Sequence, residues 1–160
     1  MVIGMNIRNR STTEIALIAV VVVGLAIDAF VHFDLAGAFA GNKTSTLSEA
    51  DIFRADATVA LIAAVALLVR PRRYTAAFAF LVAAAGTAAV TVFRYVNVGK
   101  IGPIPNMYDP YWAPFEKNLS VYGEAAATLA AIALVALLRR QPRTQPATTR
   151  VASSASVPSA

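Results

Sequence analysis

Six ionisable residues lie inside or at the ends of segments otherwise built from Ala, Val, Leu and Ile: Asp28, His32, Arg54, Asp56, Arg94 and Glu124. A charged side chain at the centre of a bilayer costs about 2.5–3.5 kcal/mol on insertion scales. Such a group persists in an apolar segment when it has a partner or a task. Asp28 and His32 are four residues apart, which puts them on one face of a helix. A carboxylate that holds an imidazole can keep or relay a proton near neutral pH. With Asp34 or Glu124 beside them the same two groups would also suit a divalent ion, but the expectation is a simple Asp28–His32 pair with no metal and no other cofactor. Arg94–Glu124 is the second expected contact. Arg54 and Arg94 oppose Asp28, Asp56 and Glu124, and His32 can supply the remaining positive charge. The layer is therefore expected either to fix helix register through paired charges or to form a small polar pocket for a ligand or a proton. Arg54 is placed to snorkel to the interface.

No catalytic constellation accompanies these residues, and no catalytic residue is assigned. The chain has no cysteine, which excludes disulfides, thiolate metal sites, iron–sulfur clusters and thiol redox chemistry within it. One histidine excludes a bis-histidine haem held by this chain alone.

The elements that carry these groups follow from composition. Of 160 residues, 58% are apolar and 14% charged, against about 45–50% and about 25% in soluble domains. The excess lies in long uncharged runs, each near the roughly 20 residues needed to cross a bilayer core. Four helices are expected, at about 15–33, 52–69, 74–93 and 119–138. They make an all-α, four-helix transmembrane bundle over residues 15–140. Residues 1–14 precede it, with Ser11 and Glu14 spaced as a helix-capping box. Residues 141–160, small, polar and Pro-containing, are expected to be a disordered tail. Arg8, Arg10 and the first apolar run, followed by Ala38-Phe39-Ala40, have the elements of a signal peptide. The gap from that run to the small residues is too long, however, so the segment is expected to be retained.

Nine of the fourteen basic residues (Arg8, Arg10, Arg70, Arg72, Arg73, Arg139, Arg140, Arg143 and Arg150) fall on one side of these four segments, and eight of the nine acids on the other. The positive-inside rule makes the first side cytoplasmic, with both termini on it, in a multi-pass plasma-membrane protein. The net charge of +5 thereby reflects topology, and no nucleic-acid partner is implied. The expected partners are the lipid bilayer and a second membrane protein or another copy of the chain.

The outer connection from Arg94 to Asn118 holds Pro103, Pro105, Pro110 and Pro114 together with Tyr95, Tyr108, Tyr111, Trp112 and Phe115. Aromatics of this kind favour the membrane interface. Tyr108, Tyr111 and Trp112 are the candidate interfacial or partner-binding residues. Residues 54–70 match 124–140 at 11 of 17 positions, so the bundle is read as two repeated hairpins. Packing through small residues four apart, such as Ala83-Thr87 and Ala126-Ala130, is expected.

The segments DAFVHFDLAG, SEADIFRADA and MYDPYWAPFEKNLS resemble a loose group of small four-helix membrane proteins of actinobacteria. The layout is also similar to small DoxX-type four-helix proteins, without a shared diagnostic motif. The resemblance implies the four-helix fold over most of residues 15–140 and supplies no activity or catalytic residues. Three functions follow as expectations. The first is a non-enzymatic accessory or interaction subunit. The second is a small transporter or proton-coupled carrier using Asp28, His32, Arg94 and Glu124. The third is an oxidoreductase or lipid-modifying protein working on a lipid-like substrate.

Overall fold

The computed structural model describes residues 10–112 and 115–140. Four helices form the fold: α1 (Thr12–Leu35), α2 (Glu49–Val69), α3 (Arg73–Tyr95) and α4 (Phe115–Arg140). All four are long and apolar enough to cross a membrane. Their order around the bundle follows the chain, so that α1 meets α2 and α4 along its length while α1 and α3 lie across the diagonal. One end is closed by the short α2–α3 turn and lined by arginines, and is called here the arginine end. The other, the loop end, carries the two longer connections.

Local chemistry sets the helix boundaries. The Ser11 hydroxyl accepts from the Glu14 amide at 3.1 Å and starts α1. Glu14 itself is buried and paired with Arg10, whose guanidinium also donates to the Pro71 carbonyl at 3.3 Å. That contact ties the start of α1 to the α2–α3 turn. Ser48 and Asp51 form a reciprocal capping box that starts α2 three residues before the first of its long apolar run. Pro71 stops α2, because it can neither donate to the helix nor follow an α-helical residue comfortably.

The core is made of small residues. Ala57, Ala60, Ala64 and Leu67 of α2, Ala76, Ala79 and Ala83 of α3, and Ala127, Ala131 and Leu134 of α4 are buried. Small side chains let helix backbones approach closely in lipid, where dispersion contacts replace the hydrophobic effect as the force between helices. The approach is closest between α1 and α4. A methyl group on Gly24 would stand 2.4 Å from the Gly123 carbonyl oxygen. Of the expected pair Ala126-Ala130, Ala130 is buried but Ala126 is exposed, and the four-residue packed stripe of α4 runs one residue later, through Gly123, Ala127 and Ala131. The similarity of α2 and α4 extends to which face is buried: Ala57, Ala60 and Ala64 match Ala127, Ala130 and Leu134, and all six are buried.

The helix spans expected from hydropathy, 15–33, 52–69, 74–93 and 119–138, each lie inside the observed helix, which adds polar residues at one or both ends. The 141–160 tail lies outside the described residues.

Candidate functional site

At the loop end, the two connections lie against each other. Asn42 Nδ2 donates to the Asn106 carbonyl at 2.8 Å, and Thr44 Oγ1 donates to the Pro103 carbonyl at 2.7 Å. Gly99 and Gly102, at φ 68° and 57°, provide the left-handed turns that fold the second connection back over the bundle. The Asp109 amide then donates to the Phe93 carbonyl at 3.1 Å, closing this connection onto the end of α3. The proline-rich loop thus does more than lie on a surface. Ile104, Met107 and Asp109 form the roof of a cavity of about 430 Å³.

The cavity occupies the loop-end space between α2 and α3, the neighbouring helices that pack least against each other. Its walls are mostly apolar, with Leu35, Ile52, Phe53, Val90 and Phe93 prominent. Ala85, Gly86 and Ala89 keep the α3 wall low. The floor is polar. His32 Nδ1 lies 2.7 Å from Asp28 Oδ1 and 3.6 Å from Asp56 Oδ2. Ser120 Oγ, on α4, lies 3.0 Å from Asp28 Oδ1 and 2.9 Å from Glu124 Oε1. A serine hydroxyl has one hydrogen to give. Both contacts are therefore hydrogen bonds only where one of the carboxyls carries a proton and donates in turn.

Glu124 is 1% exposed, yet its Oε2 accepts from no donor among the described residues; its carboxyl lies close enough to that of Asp28 for the two to share a proton. Asp56 Oδ2 likewise accepts from no donor among the described residues. Room for the Glu124 carboxyl exists because residue 86 is glycine: a β-carbon there would come within 2.8 Å of Oε2. The His32 ring is also held by Phe53, edge to face with ring centroids 5.0 Å apart, and Phe39 in turn packs against Phe53.

Four of the six ionisable residues expected in the layer therefore converge: His32, Asp56 and Glu124 line this floor, and Asp28 is buried behind it against His32 and Ser120. The expected Asp28–His32 contact is present. The expected Arg94–Glu124 pair is not formed. Arg94 turns the other way, its guanidinium 5.2 Å from the centroid of Tyr95 and 5.3 Å from that of Trp112. Arg54 also stays out of the cluster, exposed and 3.5 Å from Asp51 one turn away. The charge balance expected from the sequence fails for this reason: Arg54 is exposed, and Arg94, half-buried with its Nε lacking a hydrogen bond, packs on aromatic rings, so neither pairs with the three carboxyls around the imidazole.

Around the rim, Lys117 Nζ is 2.7 Å from Asp109 Oδ2 and donates to the Tyr111 carbonyl at 2.9 Å, while Asn42 donates to Glu49 Oε2 at 2.6 Å. Trp112 has two cations over its ring, Lys117 at 5.9 Å from the centroid besides Arg94. Tyr111 is 70% exposed, and Tyr108 is partly covered. Ser120 was not singled out by sequence reading. Its only signal is that it lies one turn before Glu124, where a hydroxyl can reach the same face. No protein-family model, curated protein or solved structure matches the chain.

Proposed function

We propose that the protein is a small-molecule-binding membrane protein that takes an amphipathic ligand into the loop-end cavity. The observation that carries this reading is the Glu124 carboxyl, buried at the floor of a largely apolar cavity with one oxygen to which no described protein group donates. A buried acceptor without a partner is costly, and a ligand head that donates a hydrogen bond or carries positive charge removes that cost. The walls fit the apolar body of the same molecule. At about 430 Å³ the cavity lies within the range of small-molecule sites. In the sequence, nine of fourteen basic residues precede α1, fall in the α2–α3 turn, or end or follow α4, so by the positive-inside rule the loop end faces away from the cytoplasm of a cell membrane. The ligand enters from the outer leaflet or the outer aqueous phase. The inner half of the bundle is packed with alanine, which favours binding or presentation over passage through one copy of the chain.

The test is binding of the fluorescent aromatic amine 1-aminoanthracene to the purified chain in nanodiscs. Saturable binding is expected. Ala89→Trp, which fills the cavity, should weaken it at least tenfold, and Glu124→Gln should weaken amine binding more than binding of anthracene itself. Binding of equal strength in Ala89→Trp sinks the reading.

The exposed Tyr111, Phe115 and Tyr122 support a second role, an accessory subunit docked through this face. Native purification that returned only the single chain would count against it.

A further inference from the structure

The floor of the cavity combines donors that the amphipathic-ligand reading does not use. Asp28, His32 and Asp56 each offer one ligand atom, and the three atoms lie within 4.8 Å of one another. They come from α1 and α2, two helices fixed against each other along their length. The geometry points to a binding site for one divalent first-row transition-metal ion, of the Mn²⁺ or Zn²⁺ class, held by Asp28, His32 and Asp56 with Glu124 beside them.

Three observations carry this. The first is spacing. Metal–ligand bonds of about 2.1 Å place neighbouring donors about 3.0–3.4 Å apart. His32 Nδ1 is 2.7 Å from Asp28 Oδ1 and 3.6 Å from Asp56 Oδ2, so these two pairs lie a few tenths of an ångström from those separations, and the two carboxylates lie within 4.8 Å of each other, so that they close on the ion as it binds. The second is two oxygens that accept from no donor among the described residues. Asp56 Oδ2 is buried with only the 3.6 Å ion-pair contact to His32, and Glu124, 1% exposed, lines the same cavity with an Oε2 to which no group donates. The third is charge. Lys117 is paired with Asp109, Arg54 is exposed beside Asp51, and Arg94 packs on Trp112 rather than on these carboxyls. Asp28, Asp56 and Glu124 are thus opposed by His32 alone. A divalent ion balances two of the three carboxylates, and a proton the third.

One nitrogen with two or three carboxylate oxygens is a donor set for Mn²⁺ or Zn²⁺ more than for Ca²⁺ or Mg²⁺, which prefer oxygen alone. The Nδ1 proton of His32 now faces both the Asp28 carboxylate and the Asp28 backbone carbonyl 3.0 Å away, and it leaves to solvent as the ion binds, because the ligating nitrogen must be bare. The cavity supplies space for water in the remaining coordination positions. Arg94 and Lys117 both hold the Trp112 ring at the rim, outside the donor set.

The experiment uses the full chain, purified in detergent, stripped with chelator and titrated with Mn²⁺ alone, followed by electron paramagnetic resonance. One ion per chain is expected, with pulsed spectra that show coupling to an imidazole nitrogen. Asp56→Asn, at a partly exposed position that the fold tolerates, should weaken binding at least tenfold. Asp51→Asn, an exposed acid on the same helix, should leave it unchanged. His32→Gln should abolish the nitrogen coupling. A folded protein that binds no Mn²⁺, or binds it equally well as Asp56→Asn, overturns the proposal. Titration of 1-aminoanthracene into the same stripped sample separates the two ideas: amine binding without metal binding leaves the cavity reading standing alone, and the converse leaves the metal site alone.

Discussion

Ser120 and Gly86 show how much of the site depends on residues without charge. Ser120 links the Asp28 carboxyl of α1 to the Glu124 carboxyl of α4. Interhelical hydrogen bonds in bilayers contribute about 0.6–2 kcal/mol, so Ser120→Ala should lower stability by that amount in reversible detergent unfolding while the helical content stays the same. Gly86→Ala is expected to act differently. Its methyl would meet the Glu124 carboxyl rather than backbone, so the carboxyl must move, and ligand binding should fall more than stability does. At this scale the sequence identifies the ionisable residues and an outward Arg54, but pairs Arg94 with the wrong partner. Asp28 and His32 were legible as a pair because a helix fixes residues four apart. Whether Arg94 reaches across to Glu124 or lies on Trp112 depends on a long flexible side chain and a loop whose path no periodicity encodes.

Among the elements, the closest packing is that of α1 on α4, and it rests on two glycines. Gly24 meets the Gly123 carbonyl, which belongs to backbone and cannot rotate away. Gly24→Leu should therefore separate the two helices, with a loss of about 1–3 kcal/mol or more and loss of the folded species on size-exclusion chromatography. Gly37→Ala, with nothing within 4 Å, should be silent in the same assay. Helix number and position were legible because spanning length and apolar content are one-dimensional properties. The helix ends extended beyond the apolar runs because capping by Ser11 and Ser48 recruits polar residues into the first turn. The packed face of α4 was misjudged by one residue, since in a helix rich in alanine no face stands out by composition. The role of the proline-rich loop as a roof followed from its contacts with the first connection, which join residues about 60 positions apart.

For the whole molecule, the direction of insertion is the property to be measured, and the absence of cysteine makes the measurement clean. A single cysteine at Tyr111 should react with a membrane-impermeant maleimide added to intact cells, and one at Arg72 should react only after lysis. The opposite pattern would invert the proposed orientation. Direction also bears on how the protein is made. Synthesis runs from the N-terminus, so α1 meets the bilayer before α2 and long before α4. Asp28 and His32 enter it while Asp56, Ser120 and Glu124 are still unmade. The 2.7 Å contact within α1 makes those first two groups each other's partner from the moment the helix forms. Glu124 has no such companion ion within its own helix, and arrives last into a site already assembled to receive it. His32→Leu should therefore lower the yield of inserted protein, by leaving Asp28 alone in lipid at the earliest stage, even where the finished bundle tolerates the change.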